Sequence, residues 1–179
     1  LIVSITSFIY NDIRRRKNME MLRQLSYFDS LTNAYNRNAY FSELERLEEE
    51  GKGTLGIAYI DVNGLKRVND TQGHKAGDRL IVSVADKLFR YLPGGKVYRT
   101  GGDEFIVFCK DISESEFQTM IEHLQSSWDE QSSAAIGYIW MDKIEQVESK
   151  VSAAEKMMYI GKRKFYERRG MDRRGDARR

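Results

Sequence analysis

Apolar residues recur along the chain in two rhythms, and the switches between them predict the elements. Between Arg37 and Glu50, Tyr40, Phe41, Leu44 and Leu47 fall three or four apart, the spacing of one helix face, with Asn36 suited to cap its start and Gly51 to stop it. Thr54 to Ile60 is instead an unbroken apolar run of strand length, fit for the middle of a sheet. Helical spacing returns with Leu80, Val84, Leu88 and Leu92 after Asp78, until Pro93-Gly94-Gly95 ends it. Lys96 to Thr100 and Glu104 to Cys109 read as strands around Gly101-Gly102, a pair that predicts a two-residue hairpin turn of positive φ. Ser113 and Glu116 form a capping box ahead of Phe117, Met120, Ile121, Leu124 and Trp128. Ala134 to Trp140 reads as a last strand and Val151 to Tyr166 as a last helix.

The order from Thr54 to Trp140 is strand, helix, strand, strand, helix, strand. It predicts an α/β domain of the α+β kind, a ferredoxin-like, palm-type βαββαβ sheet with flanking helices. Ahead of it, Asn11 to Phe28 lacks Pro and Gly and mixes charges with Met19, Met21, Leu22 and Leu25, as a helical stalk would. In this topology the first and third strands are antiparallel neighbours, so Asp61 is expected to face Asp103 and Glu104. Carboxylates gathered at one sheet edge repel one another unless a cation holds them. Oxygen ligands with no His or Cys nearby suit Mg²⁺ or Mn²⁺, and magnesium completes its shell with water and phosphate, which points to a nucleotide triphosphate.

Three points stay open at this level. Adjacent residues on a regular strand point to opposite faces, so the pattern favours one of Asp103 and Glu104 as a ligand and leaves the other's role undecided. Gly101 and Gly102 admit a base or phosphate closely, or simply make a tight hairpin. Asn69 to Asp78 reads as a polar, glycine-rich loop whose Asn69 and Asp78 suit the edge of a base, a carboxylate matching the paired N–H donors of guanine. The plainer reading makes Asp78 the N-cap of the next helix.

Charge and composition narrow the picture. With 179 residues and 41% apolar content the chain has the size of one domain plus an extra segment. Its positive charge is concentrated in the tail, where six arginines from Arg168 onward face only Asp172 and Asp176, so the body is slightly acidic. That excludes a basic nucleic-acid-binding surface. Cys109, the single cysteine, follows an apolar run, which excludes a disulfide framework or a zinc site and fits a reducing compartment. Leu1 to Tyr10 is apolar and uncharged before Arg14-Arg15-Arg16-Lys17; too short to span a bilayer, which takes about 20 residues, it reads as the end of a membrane helix with its cytoplasmic flank, the alternative being an amphipathic stalk.

Four motifs in order carry a resemblance. Arg99-Thr-Gly-Gly-Asp-Glu-Phe105 contains the Gly-Gly-Asp-Glu-Phe signature; Asp29-Ser-Leu-Thr-Asn-Ala-Tyr-Asn-Arg37, Tyr59-Ile-Asp-Val-Asn-Gly-Leu-Lys-Arg-Val-Asn-Asp70 and Gly73-His-Lys-Ala-Gly-Asp78 accompany it. From about Ser26 to Tyr166 the chain resembles the GGDEF family of diguanylate cyclases. The resemblance implies that Asp61, the Val62 carbonyl and Asp103 bind Mg²⁺ or Mn²⁺, and that Glu104 assists at the metal or deprotonates the attacking hydroxyl. It gives Asn69 and Asp78 the guanine, Lys66 and Lys162 the triphosphate, Gly101 and Gly102 a place against the substrate, and Arg99 a part in balancing phosphate charge. His74 reads as a loop-fixing residue.

The expected activity is condensation of two GTP into cyclic di-GMP across a homodimer. The alternative is a catalytically weak GTP-binding or protein-interaction domain. The division follows as a membrane-proximal linker over 1–28, a catalytic domain over 29–167 and a basic tail over 168–179. An upstream membrane sensor and the cytoplasmic face of the bacterial inner membrane complete the expectation. Departures from the family pattern are Asn63 and Leu65 for Asp and Phe, Tyr166 where an arginine often meets the terminal phosphates, and Leu92-Pro-Gly-Gly95 in place of the product-inhibition motif Arg-x-x-Asp.

Overall fold

The computed structural model describes residues 13–15, 27–129 and 132–168; most of the expected linker and the tail beyond Arg168 lie outside the described residues. In chain order the elements are α1 (Arg37–Glu50), β1 (Leu55–Val62), α2 (Leu65–Gln72), α3 (His74–Tyr91), β2 (Lys96–Arg99), β3 (Glu104–Lys110), α4 (Glu114–Ser126), β4 (Ala134–Met141) and α5 (Val147–Arg168). The strands form one sheet in the order β2-β3-β1-β4 with every neighbouring pair antiparallel, the expected α+β arrangement.

Local chemistry sets most boundaries. The Asn36 side chain accepts the Ala39 N–H at 3.1 Å, and Gly51, left-handed at φ 56, ends α1 by donating to the Leu47 carbonyl. The Ser113–Glu116 capping box starts α4. All eight residues of β1 are buried because helices cover both faces of this central strand, which explains its unbroken apolar run. On one face Ala58, Ile60, Val62, Phe105 and Val107 pack with α3 and α4 through Val84, Leu88, Phe117 and Ile121. On the other, Leu55, Ile57, Tyr59, Ile106 and Phe108 meet Tyr40, Leu44 and Leu47 of α1 and Val151, Ala154 and Met158 of α5. Each fully buried side chain of this size contributes about 1.5–3 kcal/mol.

Two expectations are corrected. Asn69 to Asp78 is not a loop: α2 and α3 meet at Gly73, whose φ is 81, so Asn69 sits within α2. Gly73, not Asp78, is the N-cap of α3. None of α2's residues is buried and its cap, Gly64, has no side chain, so neither an apolar stripe nor a capping residue betrayed it. The β2–β3 connection is likewise not a two-residue turn. It spans Thr100 to Asp103, closes through the Thr100 N–H donating to the Glu104 carbonyl at 3.1 Å, and holds neither Gly101 nor Gly102 at positive φ. With four residues to reverse the chain, the turn has no need of left-handed backbone.

Candidate active site at the ends of the central strands

Antiparallel pairing of β1 with β3 sets Asp61 opposite Glu104, so both side chains leave the sheet on the α5 side, as does Tyr59 two residues back. Asp103 lies just before β3, where its carbonyl accepts the Val62 N–H at 2.9 Å. Lys162 of α5 reaches across and ion-pairs with Asp61, which is buried. Burial drives the Asp61 carboxyl up, Lys162 pulls it back, and the charges of Asp103 and Glu104 raise it further, leaving it at about 6. Burial, and then the Glu104 charge, also push the Tyr59 phenol up. Gly101 lies close to the same carboxylate: a Cβ there would meet Glu104 Oε2 at 2.6 Å and displace that side chain.

These groups share a cleft of about 660 Å³, with Asp61 and Glu104 on the sheet and Tyr159, Lys162, Arg163 and Tyr166 on α5. The structure thus brings Asp61, Glu104 and Lys162 together, with the half-buried Asp103 at the adjoining turn. Lys66, Asn69 and Asp78 do not line this cleft. Lys66 and Asp78 are exposed on α2 and α3, while Asn69 turns a buried Oδ1, without a hydrogen-bond partner in the structure, toward Gly77. A Cβ at Gly77 would sit 1.9 Å from that oxygen. The Gly64 N–H donates to the Tyr166 hydroxyl at 3.1 Å.

Arg99 joins two of the motifs. Its guanidinium donates to Asp29 Oδ1 at 3.0 Å and to the Gly102 carbonyl at 2.7 Å. Burial would raise the Asp29 carboxyl, but hydrogen bonds from Thr32 and Arg99 outweigh it and hold the group below its ordinary value. Asp29 therefore braces the turn that carries Asp103, and Tyr59 borders Glu104; each opens one of the sequence motifs, but neither was given a role from sequence. For Tyr59 the signal was there, because it stands two positions before Asp61 on one strand. For Asp29 the motif marked the position, but its pairing with Arg99, 70 residues away, left no trace along the chain.

A divalent cation is implied by the resemblance, and the donor set fits one. Among the described residues no three acidic, histidine or cysteine side chains converge into a complete cage. Magnesium, however, usually takes one or two carboxylates and fills its shell with water and substrate phosphate. A buried Asp61 crowded by Asp103 and Glu104, with oxygen the only ligand type at hand, suits that mode and offers zinc nothing.

Sheet order and acidic strand ends define a ferredoxin-like α+β domain with its candidate chemistry at the joined ends of β1 and β3. The sequence model described as "Diguanylate cyclase, GGDEF domain" matches residues 26–168, and the chain belongs to the GGDEF family. Diguanylate cyclase DgcN of Escherichia coli (strain K12) is 37% identical over 114 residues, covering 60% of this chain and 27% of DgcN. Cyclic di-GMP phosphodiesterase PdeR of the same organism is 33% identical over 111 residues, covering 61% of this chain and 17% of PdeR. The chain thus spans well under half the length of these curated relatives. The coiled coil and GGDEF domain of DgcB from Caulobacter crescentus, solved in complex with c-di-GMP, superposes with a TM-score of 0.74 at 26% identity over 98% of each chain. No helix among the described residues is long and apolar enough to cross a membrane.

Proposed function

We propose that this chain is the catalytic domain of a diguanylate cyclase, condensing two GTP into cyclic di-GMP with release of two pyrophosphates. The observation that carries the reading is the register match of Asp61 with Glu104 beneath Lys162, beside an intact Gly101-Gly102-Asp103-Glu104-Phe105 turn. In it Asp61, the Val62 carbonyl, Asp103 and Glu104 would hold Mg²⁺ or Mn²⁺. Such an ion, when bound, supplies neutralising charge on the phosphates and acidifies the attacking hydroxyl.

Glu104 takes the proton from the ribose O3′. Lys66 and Lys162 neutralise the triphosphate, Lys162 exchanging Asp61 for a phosphate oxygen. Asn69 and Asp78 read the guanine edge, Gly101 and Gly102 admit the nucleotide, and Arg99 steadies the turn from behind. The 3′-hydroxyl of each GTP attacks the α-phosphate of the other, so two domains meet as a homodimer and their alignment supplies much of the rate. Pairing of the segment over 1–28 lets an upstream membrane sensor at the cytoplasmic face of the bacterial inner membrane set the effective concentration of one domain for its partner.

Purified chain incubated with GTP and Mg²⁺ should yield cyclic di-GMP and pyrophosphate by mass, with specific activity rising through a dimer transition. Absence of product at concentrations that dimerise the chain refutes the reading. A regulatory GTP-binding domain is the second reading, favoured by the Lys162 pair on Asp61. The same assay identifies it by GTP binding without turnover.

A further inference from the structure

Two residues one turn apart on α5, Lys162 and Tyr166, reach the end of β1 and the turn that follows it. Lys162 holds the Asp61 carboxylate. The Tyr166 ring is only 6% exposed, and its hydroxyl oxygen accepts the N–H of Gly64. Gly64 is the left-handed N-cap of α2, φ 72, and has no side chain with which to close that helix end. No residue of α2 is fully buried; Leu65 and Val68 pack partly against the core beneath it. Two hydrogen bonds add to that packing at its entry: the Asn63 N–H on the Ser133 carbonyl at 2.9 Å, and the Gly64 N–H on Tyr166. Lys66 and Asn69 ride on this helix within its first five residues.

We propose that Tyr166 is a positioning residue for nucleotide binding: its hydroxyl pins the β1–α2 turn to α5 and so sets Lys66 and Asn69 relative to Asp61. The proposal rests on the cyclase reading above. An arginine in this place could not make the tie, because a guanidinium carries donors only and Gly64 offers another donor. At this position the chain has an acceptor for its own backbone in place of a cation for the terminal phosphates.

The test is Tyr166→Phe in the full chain, which keeps the buried ring and removes the hydroxyl that accepts the Gly64 N–H. Amide exchange at Gly64 should accelerate about fivefold or more, and KM for GTP should rise about three- to tenfold, the scale of one lost hydrogen bond. kcat should stay within about twofold and the melting transition should remain cooperative. A purely structural role would lower the folded fraction and the apparent kcat while leaving KM alone. Unchanged Gly64 exchange overturns the proposal, as does faster exchange with KM unmoved. A wild-type chain that neither binds nor turns over GTP instead overturns the cyclase reading and the nucleotide half of this proposal with it; the Gly64 exchange still decides whether the tie exists.

Discussion

The two faces of the sheet, made by alternate residues of the same strands, follow different rules. On the α3 and α4 side, Ala58, Ile60 and Val62 of β1 and Phe105 and Val107 of β3 are apolar to the very end of the strands. On the α5 side the same strands carry Leu55, Ile57, Ile106 and Phe108 toward one end of the sheet but Tyr59, Asp61 and Glu104 at the other. One face is therefore held by packing throughout. The other gives up packing at one end and places buried charge there, which costs stability and gathers oxygen ligands. Period-two alternation is what lets neighbouring residues such as Ile60 and Asp61 serve these separate ends.

The sharpest way to break this division is on the packed face. Phe117, 1% exposed on α4, truncated to Ala should cost about 3–5 kcal/mol in denaturant unfolding, while turnover per folded molecule stays near wild type. A proportionate fall in turnover of the folded fraction would show that the faces are not separable. On the polar face the effect should invert. Asp61→Asn or Glu104→Gln should lower cyclase turnover about 100-fold or more with cooperative unfolding retained, and residual activity above about a tenth in both variants would remove these carboxylates from the chemistry.

A third measurement asks what the buried charge costs in metal-free buffer. Asp61 has its folded pKa raised from 3.8 to about 6, so the native state binds its proton more tightly than the unfolded chain does. The stabilising contribution is full below about pH 4 and is lost as pH rises through about 6. Asp61→Asn should therefore match wild type near pH 4 in EDTA and exceed it by up to about 3 kcal/mol at pH 8. A difference that does not grow with pH would mean that Lys162 fully compensates the charge. The smallest effect concerns the remote edge of the site: Asp78→Ala should erase a GTP-over-ATP preference of about 1–3 kcal/mol, compared through kcat/KM. A preference that survives the substitution would confine base reading to other groups.

Much of this division could be read along the chain. The Asn36 cap, the Ser113–Glu116 box and the three- and four-residue spacing of α1, α3 and α4 are local, set by neighbours within a turn or two. The strand order placing Asp61 against Glu104 also followed, because the sequence of element types leaves few ways to close a sheet. α2 escaped because it has no buried stripe, and the Gly101-Gly102 turn because loop length, not glycine content, chose its geometry.

By itself the sequence determined the α+β sheet, the acidic pairing at its edge and the family signature, since each depends on residues close in the chain or on a small set of topologies. Only the tertiary structure decided where the long side chains went. Lys162 on Asp61, Arg99 between Asp29 and the Gly102 carbonyl, and Tyr166 on the Gly64 amide join positions separated by 101, 70, 3 and 102 residues. The long contacts among these depend on how α5 and the N-terminal motif lie against the sheet. No periodicity records that placement, because flexible polar side chains select partners by proximity after the backbone has packed.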